Sequence, residues 1–233
     1  MMWPTSKTFD WYADRRHFFV AGFRRVTGLV VGNWKIAAGL AIGVIVIVAL
    51  VAGYFVWGSR QEADASDLLF RATRELGSNT RTAEDAARRQ EGVRLLRELT
   101  TRYPRTAAAA EATLRLGTLY YTVGEYDEAR NVYRGYVTKN PRGRVTFAAG
   151  MGVGDTYFSQ GKYDKAMESY SQLIDRFPQE PLLPEAYLNL ARTYMKMSKE
   201  QEAVRLYQKV VEGYPNSGWD QTARAQLRKL VRR

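Results

Sequence analysis

The chain repeats itself. Between Ala109 and Asn216 one arrangement of small, aromatic and proline residues occurs three times, each residue 37 places after its counterpart. Leu116-Gly117, Tyr120, Ala129, Tyr133 and Pro141 form the first copy, and Val153-Gly154, Tyr157, Ala166, Tyr170 and Pro178 the second. Leu190-Ala191, Tyr194, Ala203, Tyr207 and Pro215 form the third, and Pro104, 37 places ahead of Pro141, closes a degenerate earlier copy. A fixed period of this length belongs to a solenoid of helix pairs, in which each unit buries its apolar face only against its neighbours.

Helix packing explains the residue types. Gly117, Gly154 and Ala191, with Ala129, Ala166 and Ala203, are small enough to let two antiparallel helices approach closely. The tyrosines supply apolar area with a hydroxyl that reaches water or a neighbour. Gly124 and Gly161 are placed to end a first helix in a left-handed turn, and the prolines stop each second helix. The pattern resembles the tetratricopeptide repeat, with Tyr in place of the later Phe and without its tryptophan. That resemblance implies an all-α fold built on a tetratricopeptide α-solenoid, to which the residues on either side add a single N-terminal transmembrane helix and a C-terminal capping helix.

Residues 1–35 form a basic, aromatic leader in which Lys7, Arg15, Arg16, Arg24, Arg25 and Lys35 outnumber Asp10 and Asp14. It reads either as a helix lying on an anionic membrane face or as a tail that only fixes topology. Residues 36–57 carry no charge over 22 positions, a length of about 33 Å as a helix against a hydrocarbon core of about 30 Å. Trp34 and Lys35 flank one end and Tyr54 and Trp57 the other, as interfacial anchors do. A cleaved signal peptide has a shorter apolar region, so an uncleaved anchor is expected. The basic leader places the N-terminus in the cytoplasm and the repeats outside it. Gly39, Gly43 and Gly53 share one face of the span. They mark either a contact with another membrane helix or the ordinary glycine content of such helices.

Residues 58–107 read as a linker helix and a degenerate first repeat. Ala63, Leu68, Leu69, Ala72 and Leu76 suit an apolar stripe ending near Gly77. Thr82 is a candidate cap for a second helix, with Val93, Leu95, Leu96 and Leu99 buried. Residues 108–217 hold the three repeats, and 218–233 a capping helix whose apolar side is Trp219, Ala223, Leu227 and Leu230.

Composition matters mainly for what it removes. The chain has no cysteine, which rules out disulfides, thiolate catalysis and Cys-based zinc sites. Its single histidine, His17, precedes the apolar span. No dinucleotide, P-loop or nucleophile-elbow motif is present. The glycine-rich Gly150-Met151-Gly152-Val153-Gly154 lies inside a repeat helix and reads as close packing. The reading is therefore no enzyme, no catalytic residues, no cofactor and no metal. The net charge of +11 is spread along the chain rather than gathered in a nucleic-acid-binding module, so no nucleic acid is expected.

In such solenoids the first helix of each pair lines the inner surface, where extended peptides or partner helices bind. The inward places are Leu114, Thr118 and Tyr121, then Met151, Asp155 and Phe158, then Leu188, Arg192 and Met195. Each is a candidate for contact with a partly apolar protein or peptide, or for packing on the neighbouring helix. Leu114 and Thr118 stand where carboxylate-clamping relatives carry Lys and Asn, so that clamp is not expected.

The junction WGSRQEADASDLLFRAT, from Trp57 onward, resembles YfgM-type ancillary subunits of the bacterial Sec translocon. The repeat endings RYPRT, RFPQE and GYPNS are similar to those of BamD-type and CpoB-type envelope proteins. The resemblance implies a membrane-anchored scaffold in the cell envelope, its repeats on the periplasmic side of a bacterial inner membrane. There it would assist protein translocation, folding or assembly, with the Sec translocon or another envelope complex as partner. The alternative is a docking subunit of a division, cell-wall or polysaccharide machine.

Overall fold

A computed structural model describes residues 34–77 and 83–231. The leader as an interfacial helix, Thr82 as a cap and His17 all lie outside the described residues. The described residues form nine helices: α1 (Trp34–Leu76), α2 (Ala83–Arg102), α3 (Ala107–Thr122), α4 (Tyr126–Lys139), α5 (Thr146–Ser159), α6 (Tyr163–Arg176), α7 (Leu183–Lys196), α8 (Glu200–Gly213) and α9 (Gly218–Val231). They divide into two units, Met1–Ser59 and Arg60–Arg233.

In the first unit, the large apolar side chains from Ile36 to Trp57 are exposed. Among the described residues, α1 is the one helix long and apolar enough to cross a membrane, and none of its apolar window is buried (0%). Gly39, Gly43 and Gly53 face open space.

The second unit is all helix on helix, each helix packed on the next from α2 to α9. The close approach has a specific form. A Cβ built on Gly117 would lie 2.3 Å from Cε1 of Tyr133, and one on Gly154 would lie 2.3 Å from Cε1 of Tyr170. The glycines therefore make room for a tyrosine ring from the second helix of the pair, which lies over the backbone of the first. The glycine-rich run of α5 packs in the same way: Gly150 faces Leu173, Gly152 faces Tyr133 and Gly154 faces Tyr170. A further ladder of small residues, Ala112, Ala149, Ala186 and Ala223, is fully buried at 0% exposure along α3, α5, α7 and α9.

The turns between paired helices are alike in geometry but not in sequence. Gly124 and Gly161 have φ of 83° and 72°, and Ser198 takes the same left-handed place at 59°. In each, the backbone N–H after the turn reaches back five residues: Glu125 to Tyr120 at 2.8 Å, Lys162 to Tyr157 at 2.9 Å and Lys199 to Tyr194 at 2.9 Å. This is the Schellman closure, and it satisfies carbonyls that a helix end leaves open.

At the N-terminal end α2 follows the repeat register, with Gly92, Leu96 and Leu99 standing 37 places before Ala129, Tyr133 and Tyr136. The stripe that α1 turns into the core is Ala65, Leu68, Leu69, Ala72 and Leu76, of which Ala72 and Leu76 meet Gly92 of α2. Ala63 is not part of it: it is exposed, because two residues ahead of Ala65 lies roughly 200° around the helix. Val93 is half-buried, whereas Leu95, Leu96 and Leu99 are buried.

The carboxylate of Glu62 accepts hydrogen bonds from the N–H groups of Ala107 at 2.8 Å and Ala108 at 3.0 Å. It thereby caps α3 from a position 45 residues away in sequence. Thr106 adds the local cap, its hydroxyl accepting from Ala109 N–H at 3.1 Å. At the C-terminal end α9 stands where a further first helix would. Ala223 is buried, and Trp219, Leu227 and Leu230 are half-buried against the core. Arg228 occupies the place held by Gly117, Gly154 and Ala191. A long cation thus stands on α9 where the repeats carry a small residue beneath a ring.

Candidate protein-binding face

The first helices α3, α5 and α7 lie side by side. Of the nine inward places, Leu114, Tyr121, Asp155, Phe158, Leu188 and Met195 are half-buried, and Thr118 and Arg192 are exposed. Met151 is different. It is only 7% exposed and belongs to the core, so it is withdrawn from the face. A long, unbranched and adaptable side chain in the central helix can fold back into the interior, as methionine does readily.

Polar and aromatic contacts stitch this face together across repeats. Tyr121 Oη and Ser159 Oγ are 2.7 Å apart, joining α3 to α5. The Arg192 guanidinium lies over the Phe158 ring at 4.6 Å, joining α7 to α5. Tyr121 meets Tyr126 edge-on at 5.4 Å, and Phe158 meets Tyr163 in the same way at 5.5 Å. The two aromatic pairs stand 37 residues apart. Tyr126 and Tyr163 are not among the nine inward places, and their 37-residue spacing is the signal that marks them.

Asp155 is the charged centre. Its Oδ1 accepts from the Tyr170 hydroxyl at 2.5 Å and from the Asn189 side-chain amide at 3.3 Å. Burial raises its pKa above the ordinary carboxylate range, and the Tyr170 hydrogen bond and the charge of Arg192 only partly offset this. Burial, with Asp155 beside it, also pushes the Tyr170 hydroxyl far above its usual range. Tyr170 thus serves the core with its ring and the face with its hydroxyl. Tyr133 reaches Thr118 Oγ1 less tightly, at 3.4 Å.

On α4 a buried arginine plays a structural part that the sequence does not announce. Arg130 pairs with Asp127, donates to Gln160 at 3.0 Å and Thr156 at 3.3 Å, and lies over the Tyr157 ring at 4.3 Å. It ties the first repeat to the second. Among the described residues no cluster of three or more His, Cys, Asp or Glu could hold a metal ion. The face offers aromatic area, one carboxylate and one guanidinium, which suits recognition of a protein segment.

Residues 32–169 match the family described as "Tetratricopeptide repeat-like domain", and residues 146–216 match "Tetratricopeptide repeat". No curated protein sequence matches. Among solved structures, a tetratricopeptide repeat protein from Parabacteroides merdae superimposes with a TM-score of 0.52 at 16% identity, covering 69% of this chain and 57% of that one. A protein of Podosopora anserina with nearly identical TPR-like repeats, described as a kinesin light chain, gives 0.50 at 17% identity, covering 70% and 82%. MamA gives 0.49 at 21% identity, covering 66% and 78%. These likenesses concern the fold. Proteins of this kind are typically non-enzymatic scaffolds suited to protein–protein interaction. The longer family match spans well over half of the 233 residues, and the chain belongs to the tetratricopeptide repeat-like domain family.

Proposed function

We propose that this chain is a membrane-anchored adaptor whose α3–α5–α7 face captures an extended or helical segment of other proteins. The observation that carries the reading is the conjunction of two surfaces in one chain. One is the apolar window of α1, none of which is buried. The other is a half-exposed row of Tyr121, Phe158 and Met195 bordered by Asp155 and Arg192. The family match begins at residue 32, so it takes in the apolar stretch together with the first repeats.

The anchor is a single span through Gly39, Gly43 and Gly53, in the inner membrane of a bacterial envelope, with the repeats on the extracytoplasmic side. The basic leader and the likeness of the junction to YfgM-type subunits support that placement and a role beside the Sec translocon, in protein translocation, folding or assembly.

The test is partner capture from solubilised membranes by the full chain and by Tyr121→Ala and Phe158→Ala. Both variants are expected to lose most of the captured protein while keeping wild-type helicity by circular dichroism. Unfolding of both would make those rings core rather than contact residues. Undiminished capture by two folded variants would remove the face from the account.

A further inference from the structure

The loops that join one repeat to the next lie along one edge of the second unit, and their charge is divided. In the first two loops and the helix ends beside them stand Arg102, Arg105, Lys139, Arg142 and Arg144, all exposed. Exposed Arg176 joins them, its guanidinium donating to the Pro141 carbonyl at 3.0 Å. At the loops after α6 and α8 the acids Asp175, Glu180, Glu185, Glu212 and Asp220 stand instead, Glu180 in a loop and the rest on the helix ends, with Asp220 paired to Arg224.

Acids near the basic half are already engaged. Glu98 serves Arg94 and Arg102, Glu111 serves Arg115, and the Glu62 carboxylate is held by the α3 N-terminus. Among the described residues, Arg105, Lys139, Arg142, Arg144 and Arg176 have no carboxylate within ion-pair distance.

We propose that this basic half-edge binds the anionic headgroups of a phospholipid bilayer. The proposal rests on the anchor reading, because the covalent chain alone then brings a bilayer within reach. Glu62, fixed at the start of α3, follows Trp57 by five residues. Even a fully extended connection of that length spans at most about 18 Å. The cations it delivers are exposed, multiple and unpaired, which suits phosphate headgroups attracting through a screened field over about 8–10 Å. The contact would hold the repeats against the surface by the edge, leaving the α3–α5–α7 face open to a protein.

The absence of cysteine makes the test clean, since single labels can be placed at will. The full chain is reconstituted in vesicles of neutral phosphatidylcholine, or of the same lipid with about a third phosphatidylglycerol. It carries a fluorophore at Thr101→Cys on the basic edge or at Lys162→Cys at the opposite helix ends, and headgroup-attached nitroxide lipid is the quencher. We expect stronger quenching at position 101 in the anionic vesicles, reversed by salt, with position 162 indifferent to lipid. Each basic residue is worth on the order of fivefold in surface partition, so reversing Arg105, Arg142 and Arg144 to Glu removes the excess.

Equal quenching in the two lipids overturns the proposal, and this wild-type comparison stands even if the triple variant folds poorly. So does a wild-type edge indifferent to lipid but protected by added polyglutamate, which would assign it to an acidic protein. Extraction of the chain by alkaline carbonate would sink the anchor reading first. A chain that resists that wash and still shows no lipid preference would sink the edge alone.

Discussion

The first two repeats and the third solve one packing problem with different residues. In the first two, glycine lies beneath a tyrosine ring: Gly117 beneath Tyr133 and Gly154 beneath Tyr170, with no space for a Cβ. In the third, Ala191 is fully buried and its partner Tyr207 is also buried. Where the first two turn through Gly124 and Gly161, the third turns through Ser198 at φ 59°. Where they present Tyr121 and Phe158, it presents Met195 and lends Arg192 back to Phe158. The period fixes where a small residue, a ring and a left-handed residue must stand. It does not fix how small, or which one, because the neighbouring ring and turn can settle differently around each residue.

That comparison can be broken most severely at the ring bed. Gly154→Ala should cost about 1–3 kcal/mol by chemical denaturation, because a Cβ there collides with the ring of fully buried Tyr170. A cost near zero would show that the second repeat relaxes as freely as the third, and that its glycine is not required by packing.

The turn gives a smaller effect of opposite sign. Ser198→Gly should stabilise the domain by about 0.5–1 kcal/mol, since only glycine adopts the left-handed region without strain. The gain is net of the extra freedom that glycine confers on the unfolded chain. A loss of stability would mean that the Ser198 side chain contributes something the turn needs.

The smallest effect concerns Asp155, which only the second repeat carries at this place. Its folded pKa is raised, so the unfolded chain releases the proton first as pH rises. Folding is therefore opposed above the folded-state pKa and relieved as pH falls back toward the unfolded value. Asp155→Asn should be more stable than wild type by less than about 1 kcal/mol at pH 7, its amide oxygen still accepting from Tyr170. The gap should close toward pH 4. A variant that is less stable at pH 7 would show that the ionised carboxylate supports the fold.

The repeat ladder, the tyrosines, the prolines and the closing helix were legible because each recurs at 37 residues or breaks the period at an end. The buried ladder of Ala112, Ala149, Ala186 and Ala223 recurs equally well, yet alanine is common enough in helices for its burial to pass unnoticed. Ala63 was misplaced because a degenerate segment lacks a neighbouring copy to set its phase. Met151 shares its column with Leu114 and Leu188, and periodicity alone cannot say which of three apolar side chains turns inward. Two features lay beyond any local pattern. Glu62 caps a helix 45 residues away, and Arg130 pairs, stacks and bridges across two repeats. Both depend on where the fold brings distant segments.

The central claim is that the α3–α5–α7 face, and not the outer helices, receives a protein partner. A photo-crosslinking amino acid placed at Phe158 of the full chain in its native membranes tests this most directly, with the exposed Gln172 of α6 as the comparison site. The account predicts discrete protein adducts from position 158 and none of the same products from position 172. Identical products from both sites, or adducts from position 172 alone, would contradict it.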